Sequence, residues 1–479
     1  MSSKKTLNVK NLEALGAERL AELLIEISQG NAAAKRRLRL ELAGLVGPGE
    51  LAREIRKRLA TIAKSRAFVD WHERRRLIQD LTTQLDAIVD QVAANDPAEA
   101  LDLLWRFLDL APSVFERSDD SSGDISAVFA NACDQLEPVA VAAKPDPVSL
   151  AERVFAAIQD NGYGQYDDII HLLAPALGPR GLEHLKALVI ELSQQEIPRR
   201  PDKQREAIGW SRRGPIYADD IAETSRRRTV QMALQEIADL QGDVDAFIAQ
   251  YDDETRKVPR VAAGIAQRLV AAGRAQQAME VLAAARKRHP EGMEFEWEDA
   301  RIAALDALER HDEAQAARWT CFERTLSAQH LKAYLKRLPD FDDVEAEARA
   351  FDHVLRYKNA LSALHFLITW PAVEQAAKLI IERGKELDGN YYEVLTPAAD
   401  ALAGRYPLAA TVCLRAMIDF TLTQARSSRY RHAARHLLEC ESLASMIEDY
   451  GAVEPHSAYV DHLKQAHGRK SGFWSLVAD

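Results

Sequence analysis

The chain has 479 residues, a net charge of −11, and apolar residues at 47% of its positions. This composition provides ample material for a core and excludes an intrinsically disordered chain. The negative charge argues against attraction of the whole protein to nucleic acid or to anionic lipid.

Cysteine spacing and hydropathy exclude further classes of protein. The four cysteines, Cys133, Cys321, Cys413 and Cys440, are scattered, and none belongs to a CxC or CxxC pair. We therefore expect buried thiols rather than a disulfide framework or a zinc knuckle, and we expect no cofactor. The longest apolar run, FLITWPAV at 366–373, is too short to cross a bilayer. Since the first residues also lack the apolar region of a secretory signal, we expect a cytoplasmic protein with no membrane partner.

The first 76 residues, which we call the basic head, differ in charge from the rest of the chain. They contain 17 Lys and Arg against 9 Asp and Glu, a net charge of +8, which leaves −19 for the remainder. Arg53, Arg56 and Lys57 are spaced so that they share one helix face. The candidate contacts for an anion or a nucleic acid are Lys35, Arg36, Arg37, Arg39, Arg53, Arg56 and Lys57.

Two interpretations of the basic head are open at this point. Phosphate contacts made by these side chains would release counterions and give salt-dependent affinity for nucleic acid. The only aromatic residues nearby are Phe68 and Trp71, which argues against base stacking on single strands. In the second interpretation, which we favour, the charges face the acidic remainder of the same chain.

Apolar residues recur at intervals of three and four along almost the whole chain, which predicts an all-α fold. One such stripe is formed by Leu12, Leu15, Leu20, Leu23 and Ile27. No segment shows the sustained period-two alternation of a β-strand.

The segment RSDDSSGDIS at 117–126 resembles a cation-binding loop in composition. Aligned on Gly123, an EF-hand loop requires a glutamate where Phe129 stands, so the pattern fails. We predict a turn at Gly123 followed by Asp124 as the cap of the next helix. A weak contact to a cation or a partner is the alternative.

Helix starts and breaks divide the chain into three predicted regions. The segment 137–147 is the predicted linker, and at its end Asp146 and Pro147 have the residue types that begin a helix. Further breaks are expected near 195–216 and 251–259. The predicted regions are an N-terminal helical region with the basic head at 1–143, middle helical hairpins at 144–257, and tetratricopeptide-like repeats at 258–479.

Two other segments resemble binding motifs without completing them. GYGQYDDIIHLL at 162–173 lacks the glycine spacing that holds a phosphate, so we predict a turn that leads into a helix, with its tyrosines stacked between repeats. His432, His436 and Cys440 are spaced four residues apart and could begin a zinc site. The glutamate of an HExxH helix and a fourth ligand are missing. We therefore predict that these three residues flank or border an apolar stripe of the helix and hold no metal.

A short pattern, in which a turn residue precedes an alanine by five positions, recurs along the chain. It occurs as NDPAEA at 95–100, GRAQQA at 273–278, ERHDEA at 309–314 and GRYPLA at 404–409. The second and third instances are 36 residues apart, close to the tetratricopeptide period. The pattern predicts an α-solenoid of antiparallel helix pairs, tetratricopeptide-like in the C-terminal half, with each alanine buried where two helices cross.

Six stretches spread over most of the chain together carry a resemblance to a known family. They are KSRAFVDW at 64–71, ERSDDSSGDIS at 116–126, DNGYGQYDDIIHLLAPALGPRGLEHL at 160–185, GDVDAFI at 242–248, SSRYRHAARHLLECESL at 427–443 and YVDHLKQAHGRKSGFW at 459–474. They resemble a bacterial helical-repeat family of unknown function, the repeat region that accompanies SWIM-type zinc fingers. The finger itself needs a CxC pair and a CxH pair, and neither is present, so its metal and nucleic-acid binding are not implied. The resemblance implies no catalytic residues.

The sequence predicts a non-enzymatic helical-repeat scaffold or adaptor that binds a protein partner in its concave groove. The chain has no GxSxG, HExxH or kinase signature, which argues against an enzyme. The alternative function is that of a nucleic-acid-associated factor that uses the basic head. The third possible function is that of an enzyme built on a helical scaffold. The identity of the protein partner is not predicted.

Overall fold

Helices form almost all of the regular structure of the protein, which confirms the predicted all-α fold. In the described part of the chain, the only strands are the two of one antiparallel hairpin. The chain divides into two compact units, Met1–Asp252 and Asp253–Asp479. None of the described helices combines the length and apolar character that crossing a bilayer requires. The structure is a computed structural model that describes residues 6–195, 205, 207–211, 214–285 and 295–478.

The first unit contains thirteen described α-helices and the hairpin. A π-helical segment, Ala87–Val92, continues directly from the fifth helix. The strands are β1 (Ala207–Ser211) and β2 (Gly214–Tyr217). The helices are α1 (Val9–Glu13), α2 (Ala17–Ser28), α3 (Ala32–Val46), α4 (Pro48–Lys64), α5 (Trp71–Asp86), α6 (Pro97–Leu108), α7 (Ala111–Phe115), α8 (Asp124–Asp134), α9 (Leu136–Ala143), α10 (Pro147–Gln159), α11 (Ile169–Gln194), α12 (Ala218–Gln241) and α13 (Val244–Ala249).

Local sequence features begin and orient several of these helices as predicted. The Asp146 carboxylate accepts the backbone N–H of Ser149 at 2.9 Å, and Pro147 occupies the first turn of α10. In α4, apolar residues recur from Leu51 and Ile55 at intervals of three and four, and this stripe is buried. Capping and periodicity therefore act here as the sequence indicates.

The core of the first unit is continuous from α3 to α12. Within it, the rings of Phe107 and Phe129 have centroids 5.5 Å apart. The segment 137–147, predicted to be a linker, lies mostly in α9, where Val139 and Ala140 are buried. The linker prediction is wrong because residues 137–143 belong to helix α9, whose buried Val139 and Ala140 are part of the core.

The predicted apolar stripe over residues 12–27 is divided between two helices. Helix α1 ends at Glu13, and α2 begins after Gly16, whose φ of 80° takes the chain out of the helical region. Leu15 and Ile27 are exposed. The stripe is therefore not one continuous buried face.

One short β-hairpin accompanies the helices of the first unit. β1 and β2 pair antiparallel, with Trp210 opposite Pro215 and Ser211 opposite Gly214. The hairpin lies in the predicted break at 195–216. Strands of this length are too short to show a sustained period-two pattern, so the sequence contains no signal that distinguishes them from a loop.

The second unit contains fourteen described α-helices. Two short 3₁₀ segments, Gly384–Glu386 and Ser427–Arg429, lie beside them. The helices are α14 (Asp253–Arg256), α15 (Pro259–Ala271), α16 (Ala275–Ala284), α17 (Phe295–Ala307), α18 (His311–Thr325), α19 (Ala328–Leu335), α20 (Asp342–Leu355), α21 (Ala360–Thr369), α22 (Val373–Arg383), α23 (Tyr392–Leu402), α24 (Pro407–Thr423), α25 (Tyr430–Ala444), α26 (His456–His467) and α27 (Ser471–Ala478).

The alanines of the recurring turn pattern are buried, as predicted. Ala278, Ala314 and Ala409 are each at most 2% exposed, near the starts of α16, α18 and α24. Gly273 and Glu309, the turn residues of the first two instances in this unit, have φ of 74° and 58°. In these two instances the pattern marks a helix that begins after a left-handed turn and brings a small side chain into the core.

The boundary between the two units lies between Asp252 and Asp253, inside the predicted break at 251–259. The boundary predicted between residues 143 and 144 lies within the first unit, and the same core cluster contains Ala140 and Leu150 on its two sides. The division into three regions stays a prediction.

Candidate functional site

The predicted basic residues of α3 lie largely at the protein surface. Lys35 and Arg39 are exposed, and Arg37 donates to the glutamate four residues along the helix at 3.0 Å. Arg36 is half-buried and lies 3.6 Å from the Asp80 carboxylate of α5. Of these four side chains, Arg36 is therefore the one paired with a residue outside the basic head.

The predicted basic residues of α4 face in two directions. Arg53 and Lys57 are exposed, and each pairs with the glutamate three residues before it in the same helix. The Arg56 guanidinium donates to Glu99 at 2.6 Å and to Asp102 at 3.2 Å, both in α6. Arg56 thus contacts the acidic remainder of the chain, while Arg53 and Lys57 face solvent. Binding of nucleic acid by the basic head stays a prediction.

The loop at 117–126 forms the predicted turn but a different cap. Gly123 has a φ of 75°, and α8 begins at Asp124 with no cap from the residue before it. The Asp120 carboxylate accepts the backbone N–H groups of Ile125 and Ser126, each at 2.8 Å. The prediction that Asp124 caps this helix is wrong, because the left-handed turn folds the loop back and places Asp120 over the helix start.

The predicted turn before α11 is confirmed, and its two tyrosines pack in different ways. The Tyr163 ring stacks on Phe115 with centroids 5.2 Å apart. The Tyr166 hydroxyl is buried and donates to the Asp109 carboxylate at 2.6 Å. Burial and this hydrogen bond raise the pKa of Tyr166 above its usual range. Both tyrosines anchor the turn to the helices before it.

The candidate zinc residues of α25 differ in their exposure to solvent. His432 is exposed, whereas His436 is buried with its Nδ1 atom 3.1 Å from the Glu439 carboxylate. Cys440 is fully buried, and burial raises the pKa of its thiol to about 12. Among the residues that the structure describes, no three His, Cys, Asp or Glu side chains form a group that could hold a metal ion.

The cysteines of the chain are free and buried, as predicted. Burial raises the pKa of the Cys413 thiol to about 12 as well. These thiols are therefore protonated at neutral pH and behave as small apolar groups.

A groove of about 500 Å³ opens on the second unit, lined by α22, the turn from α23 to α24, and the residues after α25. We call it the acidic groove because carboxylates form its rim. Its floor is apolar: Ala377 and Ala409 are buried, and Leu408 is half-buried. Ile381 is 46% exposed and Met446 52% exposed. Large apolar side chains therefore remain open to solvent on the floor.

Four carboxylates surround this floor. Glu374 and Glu382 project from α22, and Glu448 and Asp449 follow α25. All four are exposed, and none forms an ion pair with a residue that the structure describes. The lining also contains two cations, Lys378 and Arg405, so that two negative charges are left over.

The acidic groove was missed by sequence reasoning because its parts come from three separate stretches of chain. The one available signal was the GRYPLA turn at 404–409, which lines the groove from Arg405 onward and supplies the buried Ala409 of its floor. Nothing in the spacing of Glu374 or Glu448 indicates that they share a rim.

Comparison with known proteins gives a family and no nearer relative. The family whose model matches is described as a family of unknown function, DUF6880, and the match covers residues 2–476. No curated protein and no solved structure matches the chain. The match agrees with the predicted family of unknown function, while the resemblance to repeats that accompany SWIM-type fingers stays a prediction.

Proposed function

The chain belongs to the DUF6880 family of unknown function, and we propose that it is a non-enzymatic, cytoplasmic helical adaptor that binds a protein partner. The acidic groove of the second unit is the binding surface. The partner segment is a basic amphipathic helix, which lays its apolar face on the floor and its cations against the rim.

The open apolar floor with its rim of carboxylates is the observation that carries this proposal. Removal of exposed side chains such as Ile381 and Met446 from water by a partner lowers the free energy of the complex. A concave apolar surface is also the usual form of a binding site. Amphipathic helices bind grooves of this kind through residues spaced three and four apart. The excess negative charge of the rim selects a basic helix over an acidic one.

A tetratricopeptide-like α-solenoid is the architecture that we propose for the second unit. The support is the burial of Ala278, Ala314 and Ala409 at recurring turns, together with packing of most helices against their neighbours in the chain. Repeat arrays bury apolar surface between adjacent helix pairs and leave grooves between them for partners.

The proposal is tested with two synthetic amphipathic peptides of equal length. Both carry leucines at helical spacing, and the remaining positions are lysine in one peptide and glutamate in the other. We expect the lysine peptide to bind the protein in fluorescence anisotropy and the glutamate peptide not to bind. The double variant Glu382→Lys and Glu448→Lys should weaken binding roughly tenfold, since each reversal replaces attraction by repulsion.

The matched control is Asp352→Lys, an exposed carboxylate of α20 that does not line the acidic groove. Met446→Ser should also weaken binding of the lysine peptide, because the substitution removes apolar surface from the floor of the groove. Equal binding of both peptides, or an equal effect of Asp352→Lys and the double variant, would contradict the proposal.

The alternative function, a nucleic-acid-associated factor, is supported by the exposure of Lys35, Arg39, Arg53 and Lys57 on α3 and α4. Binding of a short duplex should then weaken steeply with salt, and Arg53→Glu should reduce the slope of that dependence.

A further inference from the structure

Four arginines converge on a cavity of about 230 Å³ in the first unit. Arg36 comes from α3, Arg58 from α4 and Arg76 from α5, while Arg117 follows α7. We call this cavity the arginine pocket. Only Arg36 belongs to the residues that the sequence analysis selected for anion contact.

The cations of the arginine pocket outnumber its carboxylates. Asp80 is nearly buried and pairs with both Arg36 and Arg58, and Glu73 is the second carboxylate of the lining. Four arginines against two carboxylates leave two positive charges. Arg76 forms no ion pair with any residue that the structure describes.

The guanidinium of Arg117 is held where its charge is disfavoured. Burial, and then the charge of Arg58, lower the pKa of Arg117 below its usual value. Its Nη1 atom donates to the Ala67 carbonyl at 3.3 Å. The Nε atoms of Arg117 and Arg36 are buried without an acceptor among the described residues. An anion in the pocket would relieve this repulsion and accept from these donors.

Neutral donors and a second cavity extend the arginine pocket. The hydroxyl-bearing residues Thr61 and Ser65 belong to its lining. An adjoining cavity of about 180 Å³ shares Arg36, Arg58 and Thr61. It also contacts Gln84, which is 3% exposed and whose Oε1 atom has no hydrogen-bond partner among the described residues. A buried amide oxygen without a donor is a further polar group that a ligand can satisfy.

We propose that the arginine pocket binds the phosphate group of a small phosphorylated molecule, whose remainder extends into the adjoining cavity. A phosphate monoester carries about −1.5 to −2 charges at neutral pH, which matches the two uncompensated positive charges. Guanidinium groups suit this ligand because their planar fork donates two parallel hydrogen bonds to an oxyanion.

The geometry favours a small ligand over the backbone of a nucleic acid. The pocket is a small cavity bounded by four separate segments, whereas a duplex is contacted by cations spread over an extended surface. Arg53, which faces solvent on α4, does not line the pocket. Its replacement therefore distinguishes the two kinds of ligand.

The test is isothermal titration calorimetry of the full chain with inorganic phosphate, at constant ionic strength set with chloride. We expect saturable binding at one site. Arg76→Gln should weaken it about tenfold, the loss expected for one hydrogen bond between charged groups. Arg117→Gln should weaken it by a similar factor. Arg53→Gln, the matched control on the same basic head, should leave the affinity unchanged.

Arg76 is exposed and unpaired among the described residues, so Arg76→Gln keeps the test valid if Arg117→Gln fails to fold. Citrate and a short DNA duplex serve as competitors. Absence of saturable phosphate binding, or equal weakening by Arg53→Gln and Arg76→Gln, would overturn the proposal. Tighter binding of citrate than of phosphate would overturn the phosphate assignment, and duplex binding that depends on Arg53 would overturn it in favour of nucleic acid.

Discussion

Asp120 is the residue whose replacement tests the cap of α8 most directly. Its carboxylate accepts two backbone N–H groups and the Ser126 hydroxyl, the latter at 2.6 Å. Loss of a helix cap costs about 0.5–2 kcal/mol, and hydrogen bonds to a charged group are worth about 1.5–3 kcal/mol. Because Asp120 is partly exposed, we expect Asp120→Ala to lower the free energy of unfolding by about 2 kcal/mol.

The measurement is thermal unfolding of the full chain at neutral pH, followed by circular dichroism. For a unit of this size, a loss of about 2 kcal/mol corresponds to roughly 4–8 °C in Tm. The matched control is Asp124→Ala, whose carboxylate accepts from the Ser122 hydroxyl at 2.7 Å, its one hydrogen bond from a described side chain, and lies 4.0 Å from Arg74. We expect the free energy of unfolding of this variant to lie within about 0.5 kcal/mol of the wild-type value. A larger loss at Asp124 than at Asp120 would refute the assignment of the cap.

The cap should also depend on pH. Burial acts to raise the pKa of Asp120, but hydrogen bonds from Ser126 and Ile125 outweigh it and hold the pKa below its ordinary value. A carboxylate of this kind stabilises the fold above its unfolded pKa, near 4, and loses that effect as the pH falls through its folded pKa. The difference in Tm between wild type and Asp120→Ala should therefore be complete at pH 6 and shrink below about pH 4. A difference that stayed constant down to pH 2 would show that the charge of Asp120 is not what stabilises α8.

Three further sets of replacements test other parts of the structure. Leucine in place of each of the buried alanines Ala278, Ala314 and Ala409 should overpack the core and cost roughly 1–3 kcal/mol in denaturant unfolding; tolerance at all three sites would remove the support for repeats. Burial and the charge of neighbouring aspartates raise the pKa of Glu236 to about 7. The wild type should therefore lose stability as the pH rises from about 4.5 to 7, and Glu236→Gln should raise Tm more at pH 8 than at pH 5. Arg56→Ala removes the ion-pair partner of Glu99 in α6, while Asp102 keeps its pair with Arg106, so we expect a cost of about 1 kcal/mol that 1 M salt reduces; an unchanged urea midpoint would show that this contact adds no stability.

Local spacing in the sequence determined the helical class of the protein and several of its details. Apolar residues three and four apart predict helices because such residues share a face, and the stripe of α4 is buried accordingly. The cap at Asp146 and the buried Ala278 and Ala314 were predicted in the same way. Each of these features depends on residues within about one or two helical turns of one another.

The tertiary structure alone decided which of these elements form a surface or a site. The turn at Gly123 was predicted, but the way it folds the loop back over the helix start, so that Asp120 rather than Asp124 caps α8, was not. The arginine pocket joins Arg36 to Arg117, and the acidic groove joins α22, the turn from α23 to α24 and the residues after α25. Sequence periodicity predicts which face of a helix is apolar, but it does not predict which other helix covers that face. Packing between distant segments decides this, and that packing places the charges of both sites together.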